Sequence, residues 1–113
     1  MPLYKTLRFE VRADAREDAE RAMHEFASYV RSELDDSSFT VYRDPHSPVH
    51  FLAFVRAATP AADDRHRSAT GTQAFMAALA PLLVGTIDER PCELVTSSDL
   101  APRRRPEGRR RPR

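Results

Sequence analysis

A chain of 113 residues and 12.8 kDa has room for one domain, so any active site is built within one small fold or between copies of it. Hydrophobic residues at 41% and aromatics at 8% supply a compact core, no apolar run is long enough for a membrane span, and the single cysteine, Cys92, excludes an internal disulfide and an all-cysteine zinc site, which fits a reducing cytoplasm. The net charge of +1 divides unevenly: Ala101 to Arg113 carries seven arginines and one acid, a net +6, whereas Met1 to Leu100 carries eleven bases and sixteen acids, a net −5.

The opening MPLYKTLRFEVR passes directly into alternation without an apolar signal core, so no export signal is expected. Tyr4 to Arg12 sets Leu7, Phe9 and Val11 against Arg8, Glu10 and Arg12, the period of a half-buried strand. Asp14 and Glu17 have capping-box spacing and predict a helix start, and Ala19, Met23, Phe26 and Val30 recur at helical steps, which predicts a helix to about Leu34. After Asp35-Asp36-Ser37-Ser38, Phe39 to Arg43 reads as a second strand, and Asp44-Pro45-His46-Ser47-Pro48 as a hairpin loop. Val49 to Arg56, VHFLAFVR, is nearly continuously apolar and predicts a strand covered on both faces.

Thr59-Pro60 signals a helix start, with a short helix over Ala61 to Arg67. A further helix from about Thr70 presents Phe75, Met76, Leu79, Leu82 and Leu83 as its apolar side, with Gly85 as its stop. Arg90 to Thr96 is expected to be the last strand, and residues 98–113, rich in Arg and Pro, read as a disordered tail beyond a domain of residues 1–97.

The predicted order, β-α-β-β-α-β with the second helical region split, is an α+β, ferredoxin-like arrangement: a four-stranded antiparallel sheet with helices on one face. Helices then cover one side only of Val49 to Arg56. A homodimer with two sheets packed face to face would cover the other, because Phe51, Leu52 and Phe54 cannot all be buried within one subunit.

Three stretches in order, FEVRADAREDAERAMHEFASYVR, FTVYRDPHSPVHFLAFVRAATPAADDRH and TQAFMAALAPLLVG, resemble the antibiotic biosynthesis monooxygenase (ABM) family of dimeric α+β barrels, over roughly Leu3 to Val95. The most specific parts are Val41-Tyr42-Arg43-Asp44, the Ala62 to His66 spacing, and Phe75 to Leu83. The resemblance implies a ferredoxin-like subunit, a homodimer joined through its sheets, and a ligand cavity between helices and sheet. It also implies oxidation of aromatic polyketides or quinols by molecular oxygen without metal or flavin, so no cofactor is expected. The chain departs from the family at Val55, where many members carry an acid, and at Gly71, where many carry a second histidine. It has Met76 where haem-degrading relatives hold the iron through histidine, and Leu34-Asp35-Asp36-Ser37 in place of Glu-Pro-Gly.

His66 occupies the family's histidine position and is the catalytic candidate, since imidazole serves as acid, base or hydrogen-bond donor near neutral pH. The competing reading pairs it with a neighbouring carboxylate among Asp63 and Asp64 or has it cap the helix turn. Tyr42 and Arg43 are candidates to hold a phenolic or quinonoid oxygen, though as strand neighbours at most one enters a given cavity; otherwise Tyr42 is a packing or dimer contact and Arg43 a surface charge. Phe54, Phe75 and Met76 complete the substrate-binding candidates. His50 reads as a strand-edge or dimer-contact residue, His24 and His46 as solvent-facing, and Cys92 as a small packing residue.

No HxxxH, HxH or Cys/His cluster suggests a metal, and three glycines leave no phosphate-binding loop. The PRRRPEGRRRPR tail has no interleaved aromatics for base stacking, so nucleic acid is expected to bind at most weakly and through the tail alone. Two functions follow from these residues: a cofactor-independent monooxygenase acting on an aromatic, quinol-like small molecule, or a non-catalytic dimeric barrel that binds a small molecule or serves as an interaction module.

Overall fold

The computed structural model describes residues 1–99. Its elements are β1 (Leu3–Val11), α1 (Arg16–Glu33) after a single 3-10 turn (Ala13–Ala15), β2 (Ser37–Asp44), β3 (Ser47–Ala57), α2 (Pro60–Ser68), α3 (Thr70–Leu79), a 3-10 turn (Ala80–Leu82) and β4 (Leu83–Cys92). The strands form one antiparallel sheet in the order β2-β3-β1-β4, the ferredoxin-like arrangement expected from the element order.

The apolar periodicities account for the core. Leu7, Phe9 and Val11 of β1 and Phe51, Ala53 and Val55 of β3 lie on one face of the sheet, and the α1 stripe Ala19, Met23, Phe26 and Val30 packs on them together with Phe75 and Leu79 of α3. Three rings join sheet to helices. Phe26 stacks on Phe75 with centroids 4.5 Å apart and 3° between planes, and Phe39 of β2 meets both edge-on at 4.9 and 5.7 Å.

Three expectations are corrected. Asp14 does not cap α1, which starts at Arg16 without a side-chain cap; its carboxylate instead accepts from Arg12 Nε at 3.2 Å, a strong local competitor for the free N–H groups. The last strand is Leu83–Cys92, starting seven and ending four residues earlier than Arg90 to Thr96, and Leu94 and Val95 are exposed beyond it. Gly85 does not stop a helix, which ends through Ala80–Leu82; it lies within β4 at φ +76, where glycine is favoured, beside a register shift opposite Arg8 and Glu10. As expected for a single copy, β3 is covered on one face only within the chain. Its burial alternates, with Phe51, Ala53, Val55 and Ala57 buried against helices while His50, Phe54 and Arg56 are exposed.

The uncovered face is assembled by register. Thr40, Phe54, Thr6 and Arg90 form one row across the sheet, and Tyr42, Leu52, Arg8 and Asp88 the next. Phe54 is 44% and Tyr42 59% exposed, their rings touching edge-on at 5.9 Å. The Arg/Pro-rich tail from residue 100 onward lies outside the described residues.

Candidate functional site

α2 exists because Thr59 caps it, its hydroxyl accepting from the Ala62 N–H at 3.0 Å, with Pro60 supplying a preset φ at the first turn. Its polar sequence offers few residues to the core. Ala62 and His66, one turn apart, are the two it buries, and His66 is only 4% exposed. The imidazole sits edge-on to Phe26 with centroids 5.7 Å apart. Its Nδ1 is closed to solvent and has no hydrogen-bond partner among the described residues.

The competing reading, in which His66 pairs with a neighbouring carboxylate, is therefore overturned. Arg67 Nε holds Asp63 at 2.8 Å, and Arg65 is paired with Asp36. An unpartnered buried nitrogen costs about 1–3 kcal/mol, which a hydrogen-bonding ligand would return.

His66 lines a cavity of about 180 Å³ between the helices and the β1/β3/β4 part of the sheet. Phe75 and Met76 of α3 join it, so three of the six predicted site residues meet there. Phe26, Leu7, Val55 and Ile87 make the remaining apolar wall. The polar groups of the lining that sequence reasoning missed are Lys5, Arg67, Thr72, Gln73 and Glu89. Lys5 alternates in step with Leu7 and Phe9 and so points under the helices; its side chain is 15% exposed, and its ammonium lies 3.3 Å from Glu89 Oε2. Thr72 precedes Phe75, Met76 and Leu79 at helical spacing, and its hydroxyl is likewise buried without a partner among the described residues.

Burial holds the His66 pKa below its ordinary 6.5, the Lys5 ammonium pushes it the same way, Asp63 opposes them and Arg67 adds a smaller lowering. The ring is thus neutral at neutral pH, able to take a proton from a ligand hydroxyl.

The other predicted residues lie elsewhere. Strand alternation sends Arg43 to the helix side, where it pairs with Glu20 of α1 at 2.7 Å and lines a separate, larger groove of about 430 Å³ with Met23, Phe39 and Phe51. That groove holds no unpartnered buried polar atom among the described residues, so the smaller His66 cavity is the stronger candidate despite its size. Tyr42 borders the groove but turns its ring to Phe54 on the opposite sheet face. Tyr42, Arg43 and Phe54 therefore do not share a cavity with His66 within one chain. His50 is not at a sheet edge, since β3 is central; it faces the open side, within hydrogen-bond distance of Ser47 and 3.4 Å from Glu10. His24 and His46 are exposed as expected, and Cys92 is exposed rather than packed. At Gly71, a Cβ would collide with the ring of Tyr29 of α1. Among the described residues no group of three or more His, Cys, Asp or Glu could hold a metal ion, and no helix is long and apolar enough to cross a membrane.

No family model matches this sequence, and no curated protein matches it in sequence. Solved structures do match in fold. Rv0793 from Mycobacterium tuberculosis superposes with a TM-score of 0.77 at 21% identity, covering 87% of this chain and 99% of its own. A structure described as an antibiotic biosynthesis monooxygenase gives 0.75 at 14% identity, covering 83% and 99%. A variant of SnoaB from Streptomyces nogalater, described as a cofactor-independent oxygenase, gives 0.73 at 16% identity, covering 86% and 96%. The chain thus has, over nearly its whole described length, the α+β fold of antibiotic biosynthesis monooxygenase structures.

Proposed function

We propose that the chain is a cofactor-independent monooxygenase of the antibiotic biosynthesis monooxygenase type, acting on an aromatic, quinol-like small molecule in the His66 cavity. The observation that carries this reading is the buried imidazole with an unpartnered nitrogen at a cavity whose apolar wall, Leu7, Phe26, Val55, Phe75, Met76 and Ile87, gives way to polar side chains led by the Lys5–Glu89 pair. Its size is informative. About 180 Å³ is close to the ~150 Å³ that accepts a benzene and below the about 300 Å³ at which drug-sized ligands begin, so a single ring seats inside and any larger skeleton extends outward.

In this reading His66 takes the proton of a ring hydroxyl, and the resulting electron-rich ring carries the redox chemistry. For a dihydroxybenzene the reaction balances as one arene and one dioxygen giving one hydroxybenzoquinone and one water. One oxygen atom forms a new C–O bond, the other leaves as water with the two hydrogens the arene loses, and the four electrons that reduce the dioxygen come from the ring. Lys5 stands beside His66 to stabilise the anion as it forms, and the buried Phe26 and Phe75 exclude water, with the exposed Met76 at the cavity's rim.

Supporting a homodimer, the sheet face bearing Phe54 and Tyr42 is left uncovered by the chain's own helices, and a second copy through that face would bury both rings. The lone cysteine supports a cytoplasmic setting. The rival reading, a ligand-binding barrel without turnover, draws on Val55 and Gly71, where two polar groups of the resembled family are replaced by a methyl pair and by a glycine against the Tyr29 ring. Oxygen uptake with hydroquinones and anthrones separates the two. Turnover by metal-free, flavin-free protein, lost in His66→Ala that remains folded, supports the enzyme; no uptake with ligand binding retained supports the barrel and sinks the monooxygenase.

A further inference from the structure

Two polar atoms of the same cavity are buried without partners: Nδ1 of His66 from α2 and Oγ1 of Thr72 from α3. Buried polar groups in folded proteins are nearly all hydrogen-bonded, and each exception costs about what a lost hydrogen bond would. Two exceptions lining one cavity indicate one ligand that satisfies both.

Local structure gives Thr72 no other use. It stands in the first turn of α3, whose N-terminal cap, Ala69, has no side-chain acceptor, and the hydroxyl makes neither a capping bond nor a bond back to the preceding turn among the described residues. Gln73, its neighbour, is committed to the Arg67 carbonyl at 2.8 Å and tethers α3 to the end of α2, which fixes the two orphan-bearing elements relative to one another. The Tyr29 ring against Gly71 seats the same turn from behind. Thr72 is therefore held at the cavity wall by neighbours on both sides.

We propose that Thr72 is a substrate-binding, specificity-determining residue, and that the ligand of the His66 cavity is a one-ring arene with two oxygen functions, one held by His66 and one by Thr72. A plain phenol leaves one orphan in place, and an unsubstituted ring leaves both. The polar requirement gives discrimination that the apolar wall cannot, because a site built to bond a hydroxyl penalises the analogue lacking it far more than an apolar pocket penalises an extra methylene.

The proposal rests on the reading of the His66 cavity as the ligand site but not on turnover, so calorimetric titration tests it separately from oxygen uptake. Catechol, resorcinol, hydroquinone, phenol and toluene are titrated into the wild-type chain and into Thr72→Val, which keeps the side-chain shape and removes the hydroxyl. The expected result is that at least one dihydroxybenzene binds about tenfold more tightly than phenol to the wild type, and that Thr72→Val abolishes this advantage while its phenol affinity stays within about twofold. Should Thr72→Val not fold, Thr72→Ser is expected to retain the advantage and Thr72→Ala to lose it. Equal affinity of phenol and all three dihydroxybenzenes for the wild type, an advantage that survives Thr72→Val, or binding of none of the probes overturns the proposal. Retained binding selectivity without oxygen uptake would instead remove the monooxygenase reading and leave this inference standing.

Discussion

The two faces of the sheet share the same strands and yet have different physical lives. On one, Phe9, Phe51 and Val55 are at most 5% exposed beneath α1 and α3; on the other, Phe54 is 44% exposed although it sits one residue from Val55. The difference teaches that an apolar run in a central antiparallel strand reports two separate surfaces, and that each needs its own cover. The helices provide one. The candidate site also belongs to that covered side, in the gap where α2 and α3 meet the sheet and apolar packing gives way to the Lys5–Glu89 pair.

The largest effect that separates the faces is in stability. Phe26→Ala removes the ring that stacks on Phe75 and meets Phe39 and His66, and is expected to cost about 3–5 kcal/mol in urea denaturation. Next comes assembly. Phe54→Asp is expected to leave the circular dichroism of the fold unchanged while turning a sedimenting species of twice the chain mass into one of the chain mass, since a charge on the uncovered face opposes burial against a copy. A wild-type chain that sediments as a monomer would break the comparison on this side.

A smaller effect is pH dependence on the covered side. The His66 pKa is lowered in the folded state, so between that value and the ordinary 6.5 the unfolded chain binds more protons. Stability is then fully present above 6.5 and declines as pH falls below it. The urea midpoint of the wild type should fall with acidification through this range, and His66→Gln should show a shallower fall. The smallest effect concerns the tail: removing residues 102–113, which contain no core-forming side chain, is expected to leave the melting temperature unchanged and to abolish any salt-sensitive affinity for DNA.

Much of the fold was legible because it rests on periodicity. The α1 stripe, the β1 alternation and the Pro45-His46 hairpin all stand where the pattern put them. β4 was not legible, for a physical reason. It is an edge strand, bonded to β1 alone, so it tolerates Asp88, Glu89, Arg90 and Pro91, and the φ +76 of Gly85 breaks its alternation. The capping box failed because spacing shows that Asp14 is in reach of the helix end without showing that Arg12 is in reach of Asp14.

At the site, helical spacing pointed to Phe75 and Met76 and the family resemblance to His66, and the three line one cavity. Lys5 and Thr72 carried a signal in the same periodicities, but only the packing of α2 and α3 over β1 brings them to the imidazole. Tyr42 was read as a partner for a phenolic oxygen or else as a packing or dimer contact, and Phe54 as a substrate-binding residue; their parity along β2 and β3 sends both to the other face.

The central claim is that the His66 cavity is where a ligand binds, and histidine NMR tests it most directly. The chain has four histidines, of which His24, His46 and His50 are exposed and His66 is enclosed. The imidazole resonances are followed by pH titration with and without hydroquinone. The account predicts that His66 titrates below 6.5 in the free protein and that hydroquinone shifts its resonances while leaving those of the other three in place. Hydroquinone that binds yet moves only the exposed histidines, or a His66 that titrates at or above 6.5, would contradict it.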